Sequence, residues 1–75
     1  MVAKPIDVLI VESALRKPII SADMMAREWG EDKERVGNWL AKLRRIGVLG
    51  TAAGAYFAYP DQANDYLLKR AQPIP

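Results

Sequence analysis

Two capping residues and two glycines divide the middle of the chain into a pair of short helices with almost no linker between them. Ser21 favours the start of a helix, and Gly30 provides the left-handed backbone conformation that ends one. Asp32 can begin a second helix directly afterwards, and Gly47 can end it. The sequence therefore predicts helices at about residues 22–29 and 32–46, joined by a tight turn.

The second of these helices has the clearest amphipathic pattern in the chain. Its apolar residues recur at helical spacing, so they form one stripe that a core can bury. Trp29 lies on a similar stripe of the preceding helix, and we expect both tryptophans to be core residues rather than stacking platforms. The stripe of the second helix consists of Val36, Trp39, Leu40, Leu43 and Ile46.

The segment before residue 21 predicts one more helix and a short strand. Pro5 suits the first turn of a helix and Pro18 cannot continue one, which predicts a helix at about residues 5–17. Residues 18–20 then predict a short extended stretch, because they end in two β-branched isoleucines.

The segment after residue 47 predicts a β-hairpin followed by a helix. Residues 48–59 place strand-favouring and aromatic residues on both sides of a flexible stretch that contains glycine. Pro60 ends this hairpin, and Asp61 can cap a last helix at about residues 61–71. The apolar side of that helix consists of Ala63, Tyr66, Leu67 and Leu68.

Together these elements predict a mainly α-helical domain with a small β-hairpin, an α+β fold that occupies residues 1–75. The predicted order is helix, strand, helix, helix, hairpin, helix. Tyr56 and Phe57 are neighbours within the hairpin, so their side chains must face opposite sides, and we expect one of them to be exposed.

The composition argues against catalysis. Histidine and cysteine, the commonest general base and the best thiol nucleophile, are absent from all 75 residues. The two serines, Ser13 and Ser21, have structural explanations, and no phosphate-binding glycine loop or metal-ligand spacing occurs. No apolar run approaches the roughly 20 residues that span a bilayer. We therefore expect a cytoplasmic protein that is not an enzyme, has no cofactor or metal and makes no membrane contact.

The net charge of +2 is concentrated in one segment of the chain. Lysine and arginine balance aspartate and glutamate both in residues 1–30 and in residues 46–75. Residues 31–45 hold five basic and three acidic side chains, with the acids first and most of the bases last. This order stabilises a helix through its macrodipole, and it also provides a positive surface for a polyanion.

The stretch from residue 20 to residue 59 resembles the winged helix-turn-helix family of bacterial and phage transcriptional regulators. The motif of that family has a small residue in its first helix, a glycine in the turn and apolar anchors in its second helix. The resemblance implies a helix-turn-helix at about residues 21–46, a recognition helix at residues 32–46 and a wing at residues 48–59. The matching positions are Ala26, Gly30, Val36 and Trp39.

Two features depart from the family pattern. Glu31 follows the turn glycine, where the family usually has an apolar residue, so the turn is expected to pack differently or to be one residue longer. The tip of the wing, residues 51–54, has no lysine or arginine, so a wing contact with DNA would depend on backbone amides and Thr51.

The side of the recognition helix opposite its apolar stripe carries the residues expected to read bases. A helix advances about 100° per residue, so Glu34, Asn38, Ala41 and Arg45 point outward when Val36 and Leu43 point inward. Asn38 suits adenine and Glu34 suits the amino group of cytosine. Gly37 and Ala41 leave room for close approach. The same residues also fit an ordinary solvated surface, and packing against a neighbouring helix also explains Gly37.

Other side chains are expected to contact phosphates, which fix the position of a protein on DNA but not its sequence preference. Ser21 and the amides of the first turn of its helix form one expected phosphate site. The basic side chains expected to contact phosphates are Lys33, Arg35, Lys42 and Arg45.

The resemblance thus implies a small regulator that binds specific sequences of double-stranded DNA. A homodimer is expected, because one recognition helix reads only a few base pairs and two half-sites raise specificity. The alternative is a winged-helix module that binds another protein and not DNA. Weak net charge, the uncharged wing and the acidic start of the recognition helix favour that alternative, and resemblance of fold does not decide between the two.

Overall fold

The computed structural model describes residues 5–71 and contains four helices and one hairpin in that range. The predicted class, mainly helical with a small antiparallel sheet, is confirmed. None of the helices in this range is long and apolar enough to cross a membrane. The elements are α1 (Ile6–Arg16), α2 (Ala22–Trp29), α3 (Lys33–Arg45), β1 (Leu49–Ala52), β2 (Ala55–Ala58) and α4 (Pro60–Ala71).

The capping residues predicted from the sequence fix the N-terminal ends of α2 and α3. The Ser21 hydroxyl accepts a hydrogen bond of 3.2 Å from the Met24 amide, and the Asp32 carboxylate accepts one of 3.2 Å from the Glu34 amide. Gly30 ends α2 with φ of 68°, a left-handed conformation that glycine adopts without strain. Only residues 30–32 therefore separate the two helices.

The hairpin is closed by a turn of two residues, Ala53 and Gly54, both with positive φ. Such turns match the twist of paired strands. Ile20 adds one bridge to the outer side of β2, because it exchanges two backbone hydrogen bonds of 2.8 Å with Tyr56. The strand predicted at residues 18–20 is thus reduced to a single residue.

One core joins all the helices to the hairpin. α1 contributes its inner face and α3 contributes three completely buried residues, while Met25 and Ile20 fill the space between them. The tryptophans, predicted to be core residues, are only half-buried at its edge. The buried apolar residues are Ile6, Ile10, Val11, Ala14, Ile20, Met25, Val36, Leu40, Leu43, Val48, Leu49 and Ala63.

Two apolar residues lie outside the stripes to which the sequence assigned them. Ile46 is 55% exposed, because α3 ends at Arg45 and the chain turns away at Gly47. Leu68 is 61% exposed, because α4 directs Ala63 into the core and Leu68 lies about 140° around the helix from it. The predictions that these side chains are buried were wrong.

The expectation that Tyr56 or Phe57 would be exposed was also wrong, since both are half-buried. Tyr56 packs against the core, whereas Phe57 lies on the other face of the hairpin and contacts Tyr59 edge to face, with 5.3 Å between ring centroids. The Phe57 ring crosses directly over Gly50. A Cβ atom on Gly50 would lie 2.5 Å from the Phe57 ring and 2.8 Å from the Tyr59 hydroxyl. This packing therefore requires glycine.

A buried carboxylate connects α1 to α4. Asp7 is only 2% exposed. It accepts a hydrogen bond from the Tyr66 hydroxyl and two from the Arg70 guanidinium, at 2.9 and 3.3 Å. Burial disfavours the charged form of Asp7, but these bonds outweigh burial and lower its pKa. Burial and the bond to Asp7 raise the pKa of Tyr66 to about 12, so its hydroxyl stays a donor at neutral pH.

We expect Gly50→Ala to lower the free energy of unfolding by about 1–3 kcal/mol, because the added methyl group overpacks the Phe57 ring. Gly37→Ala is the matched control. Its Cβ would lie 4.0 Å from that of Ala22, an ordinary contact, so the better helix propensity of alanine should raise stability by up to about 1 kcal/mol. Urea unfolding of both variants measures the difference, and equal effects would contradict the packing described for Gly50.

We expect Tyr66→Phe to lower the free energy of unfolding by about 1.5–3 kcal/mol, the usual contribution of a hydrogen bond to a charged acceptor. Tyr56→Phe removes a hydroxyl that has no hydrogen bond within residues 5–71 and should change stability by less than about 0.5 kcal/mol. Urea unfolding at neutral pH compares them. A loss no larger in Tyr66→Phe than in Tyr56→Phe would show that the Asp7 cluster, which consists of Asp7, Tyr66 and Arg70, gains no stability from the Tyr66 hydrogen bond.

The lowered pKa of Asp7 predicts a loss of stability in acid. A carboxyl whose pKa is lower in the folded than in the unfolded chain stabilises the fold fully at pH values above its ordinary pKa of 3.8. That contribution disappears as pH falls through the lowered folded value. We expect thermal unfolding between neutral and strongly acidic pH to show a smaller acid dependence in Asp7→Asn than in the native chain. An equal dependence of the unfolding temperature on pH in the two proteins would contradict this role of Asp7.

Candidate functional site

α3 is held in one rotational position by the residues that it buries. Val36, Leu40 and Leu43 are completely buried, and they lie on one side of the helix. The N-cap at Asp32 fixes where the helix starts, and Gly47, with a positive φ just after the C-cap Ile46, fixes where the chain leaves it. The side opposite this buried stripe is therefore presented to solvent along the whole helix.

The residues predicted to face outward do so. Glu34, Asn38, Ala41 and Arg45 are all exposed and follow one another at intervals of three or four residues, so they form one continuous strip. Lys42 is exposed beside this strip, and its ammonium lies 4.7 Å from the centroid of the Trp39 ring, a cation–π contact. We call these five residues the outer face of α3.

Four other predicted contact residues are already engaged within the protein. The Lys33 ammonium lies 2.8 Å from the Asp23 carboxylate, a bond that lowers the pKa of Asp23. Arg35 lies 3.8 Å from Glu31. The remaining two are Ser21, whose hydroxyl caps α2, and Gly37, which is half-buried and faces Ala22 of α2.

Charge is divided along α3. The exposed acids Glu31, Asp32 and Glu34 lie at its start, where they favour the positive end of the helix dipole. The last turn carries Lys42, Arg44 and Arg45. Within residues 5–71, none of these three cations has an ion pair. Lys42 differs in this respect from every other lysine of the range, each of which is paired with a carboxylate. The free positive charge of α3 is thus concentrated at its C-terminal end.

The structure also brings together residues that the sequence analysis did not select. Arg44, near the end of α3, lines an open cleft of about 540 Å³ together with Thr51 and Tyr59 of the hairpin region. Gly47, Leu49 and Gly50 form the rest of the lining. Thr51 was selected and is exposed as expected. A helical projection places Arg44 beside the buried stripe, but the side on which the hairpin packs depends on tertiary structure.

Comparison of this chain with protein-family models, with characterised proteins and with solved structures gives no match.

Proposed function

We propose that this chain is a winged helix-turn-helix domain that binds double-stranded DNA by placing the outer face of α3 in the major groove. The observation that carries the proposal is this face itself: a rigid, exposed helical surface with unpaired cations at one end. An α-helix fits the major groove of B-form DNA, where each base pair presents a distinct pattern of donors and acceptors.

The arrangement of the elements supports the winged-helix part of the proposal. α2 and α3 are joined by three residues, and the hairpin follows α3 and pairs with Ile20, which lies two residues before the start of α2. In helix-turn-helix proteins the second helix of the motif reads bases while the first crosses the DNA backbone. α3 is the equivalent of that second helix here.

The outer face of α3 offers separate roles for its side chains. The amide of Asn38 can pair with both N7 and N6 of adenine, and the carboxylate of Glu34 can accept from N4 of cytosine. Ala41 lies between Asn38 and Arg45 on this face, and its small side chain allows close approach to the base edges. Lys42 and Arg45 contact phosphates, whereas Lys33 and Arg35 contribute less, because each already has a carboxylate partner.

The biological role that follows is transcriptional regulation without catalysis, by a homodimer on two half-sites. A single α3 contacts only a few base pairs, which is too little sequence to define a site in a genome. A two-fold pair of domains doubles the sequence that is read.

A protein-binding module is the competing function, and one specific observation favours it. The start of α3 exposes three carboxylates that DNA phosphates would repel, and within residues 49–58 the hairpin has no charged side chain at all. The two functions differ in their dependence on salt, because DNA binding through cations releases counterions and protein binding through the uncharged hairpin does not.

We expect the affinity of the protein for duplex DNA to fall steeply as salt rises, and we expect Lys42→Gln with Arg45→Gln to reduce the slope of log affinity against log salt by about 2. Each substitution removes one phosphate contact. Fluorescence anisotropy with a labelled duplex over a range of salt concentrations gives the slopes.

The matched control is Arg16→Gln with Lys69→Gln, which removes the same charge from exposed positions on α1 and α4. It should leave the slope unchanged. Equal slopes for both double variants would exclude the outer face of α3 from the interface, and absence of duplex binding at low salt would leave protein binding as the function.

A further inference from the structure

The hairpin has a surface that suits bases better than phosphates. No lysine, arginine, aspartate or glutamate occurs in residues 49–58, so neither strand can attract a phosphate through charge. The face of the hairpin turned away from the core carries the Phe57 and Tyr59 rings instead, and Tyr59 is 43% exposed. Aromatic rings bind unpaired bases by stacking, with little dependence on sequence.

Gly50 is the reason why the Phe57 ring lies close against the hairpin. With no side chain at this position, the Phe57 ring covers the strand directly, and the Tyr59 hydroxyl also lies against Gly50. The edge-to-face contact between the two rings restricts the movement of Tyr59. Tyr59 is therefore held in position at the rim of the cleft and does not depend on a ligand to order it.

Arg44 lines the same cleft as Tyr59. Its guanidinium is exposed and, within the described range, makes no ion pair. A guanidinium group is planar, so it can stack on a base and contact the phosphate beside it. The lining of the cleft thus includes both an aromatic residue and a planar cation.

Thr51 adds hydrogen-bonding groups at the open edge of β1. Tyr56, the residue opposite Thr51, directs its own N–H and C=O to Ile20 on the other side of β2. In an antiparallel pair this geometry turns the N–H and C=O of Thr51 outward as well, away from β2. Thr51 is exposed and lines the cleft, so its outward N–H and C=O are available there for the edge of a base.

We propose that the cleft between Arg44 and Tyr59 binds an unpaired nucleobase, so that the preferred ligand of the domain is DNA in which a duplex meets a single strand. The duplex part of this inference rests on the function proposed for α3. The cleft adjoins the last turn of α3, where the neighbouring Arg45 is also without an ion pair in the described range, and this positive charge favours a nucleic acid over a peptide.

The test compares the affinity of the native protein for a blunt duplex, for the same duplex with a short single-stranded extension at either end, and for the single strand alone. We expect an extension of one polarity to raise affinity by about 5- to 100-fold, the range that stacking of a base on an aromatic residue provides. Fluorescence anisotropy at one fixed salt concentration measures all the ligands.

Substitutions of residues that line the cleft test whether the cleft causes the higher affinity for the extended duplex. Tyr59→Leu keeps an apolar side chain but removes the ring and should abolish the preference for the extension, while Tyr59→Phe should keep it. Arg44→Gln should reduce the preference without disturbing the hairpin, and Arg27→Gln, at another exposed cation that lacks an ion pair in the described range, should not. Thermal unfolding establishes that each variant is folded.

The outcomes separate this inference from the function proposed for α3. Equal affinity for blunt and extended duplexes, or a preference that Tyr59→Leu and Arg44→Gln both leave intact, overturns the cleft as a base site while α3 remains a duplex reader. Single-strand binding that depends on Tyr59, without any duplex binding, supports the cleft and overturns the role of α3. Absence of binding to every ligand overturns both.

Discussion

Burial of one side of α3 is the constraint on which the rest of the molecule depends. Val36, Leu40 and Leu43 are completely removed from solvent, and each buried side chain of this size stabilises the fold by about 1.5–3 kcal/mol relative to an exposed one. Rotating α3 by a single residue would expose part of that stripe and bury charged side chains. The core therefore determines which side chains α3 presents to a ligand.

Local signals account for the part of this fold that the sequence predicts well. Helix ends depend on residues within one turn of the end, so Ser21, Gly30 and Asp32 predict the bounds of α2 and α3 within about a residue. The outer face of α3 follows in turn, because its members are related by helical geometry alone. For these helix bounds and for the outer face of α3, in which no distant residue takes part, the structure agrees with the sequence.

Distant contacts account for what the sequence does not predict. The Asp7 cluster joins residues 63 positions apart, and nothing near Asp7 in the sequence indicates Tyr66 or Arg70. The cleft beside Arg44 depends on how the hairpin packs against the end of α3, and the pairing of Lys33 with Asp23 depends on how two helices cross. Only coordinates show that Lys33 is engaged and Arg44 is not.

The contact between Asp7 and Arg70 also has a consequence for the lifetime of the folded state. It closes a loop that includes nearly all of residues 5–71, and contacts between such distant positions tend to form late in folding. An interaction absent from the transition state slows unfolding and leaves the folding rate almost unchanged. We therefore infer that the contact between α1 and α4 mainly slows the unfolding of the domain and has little influence on its folding rate.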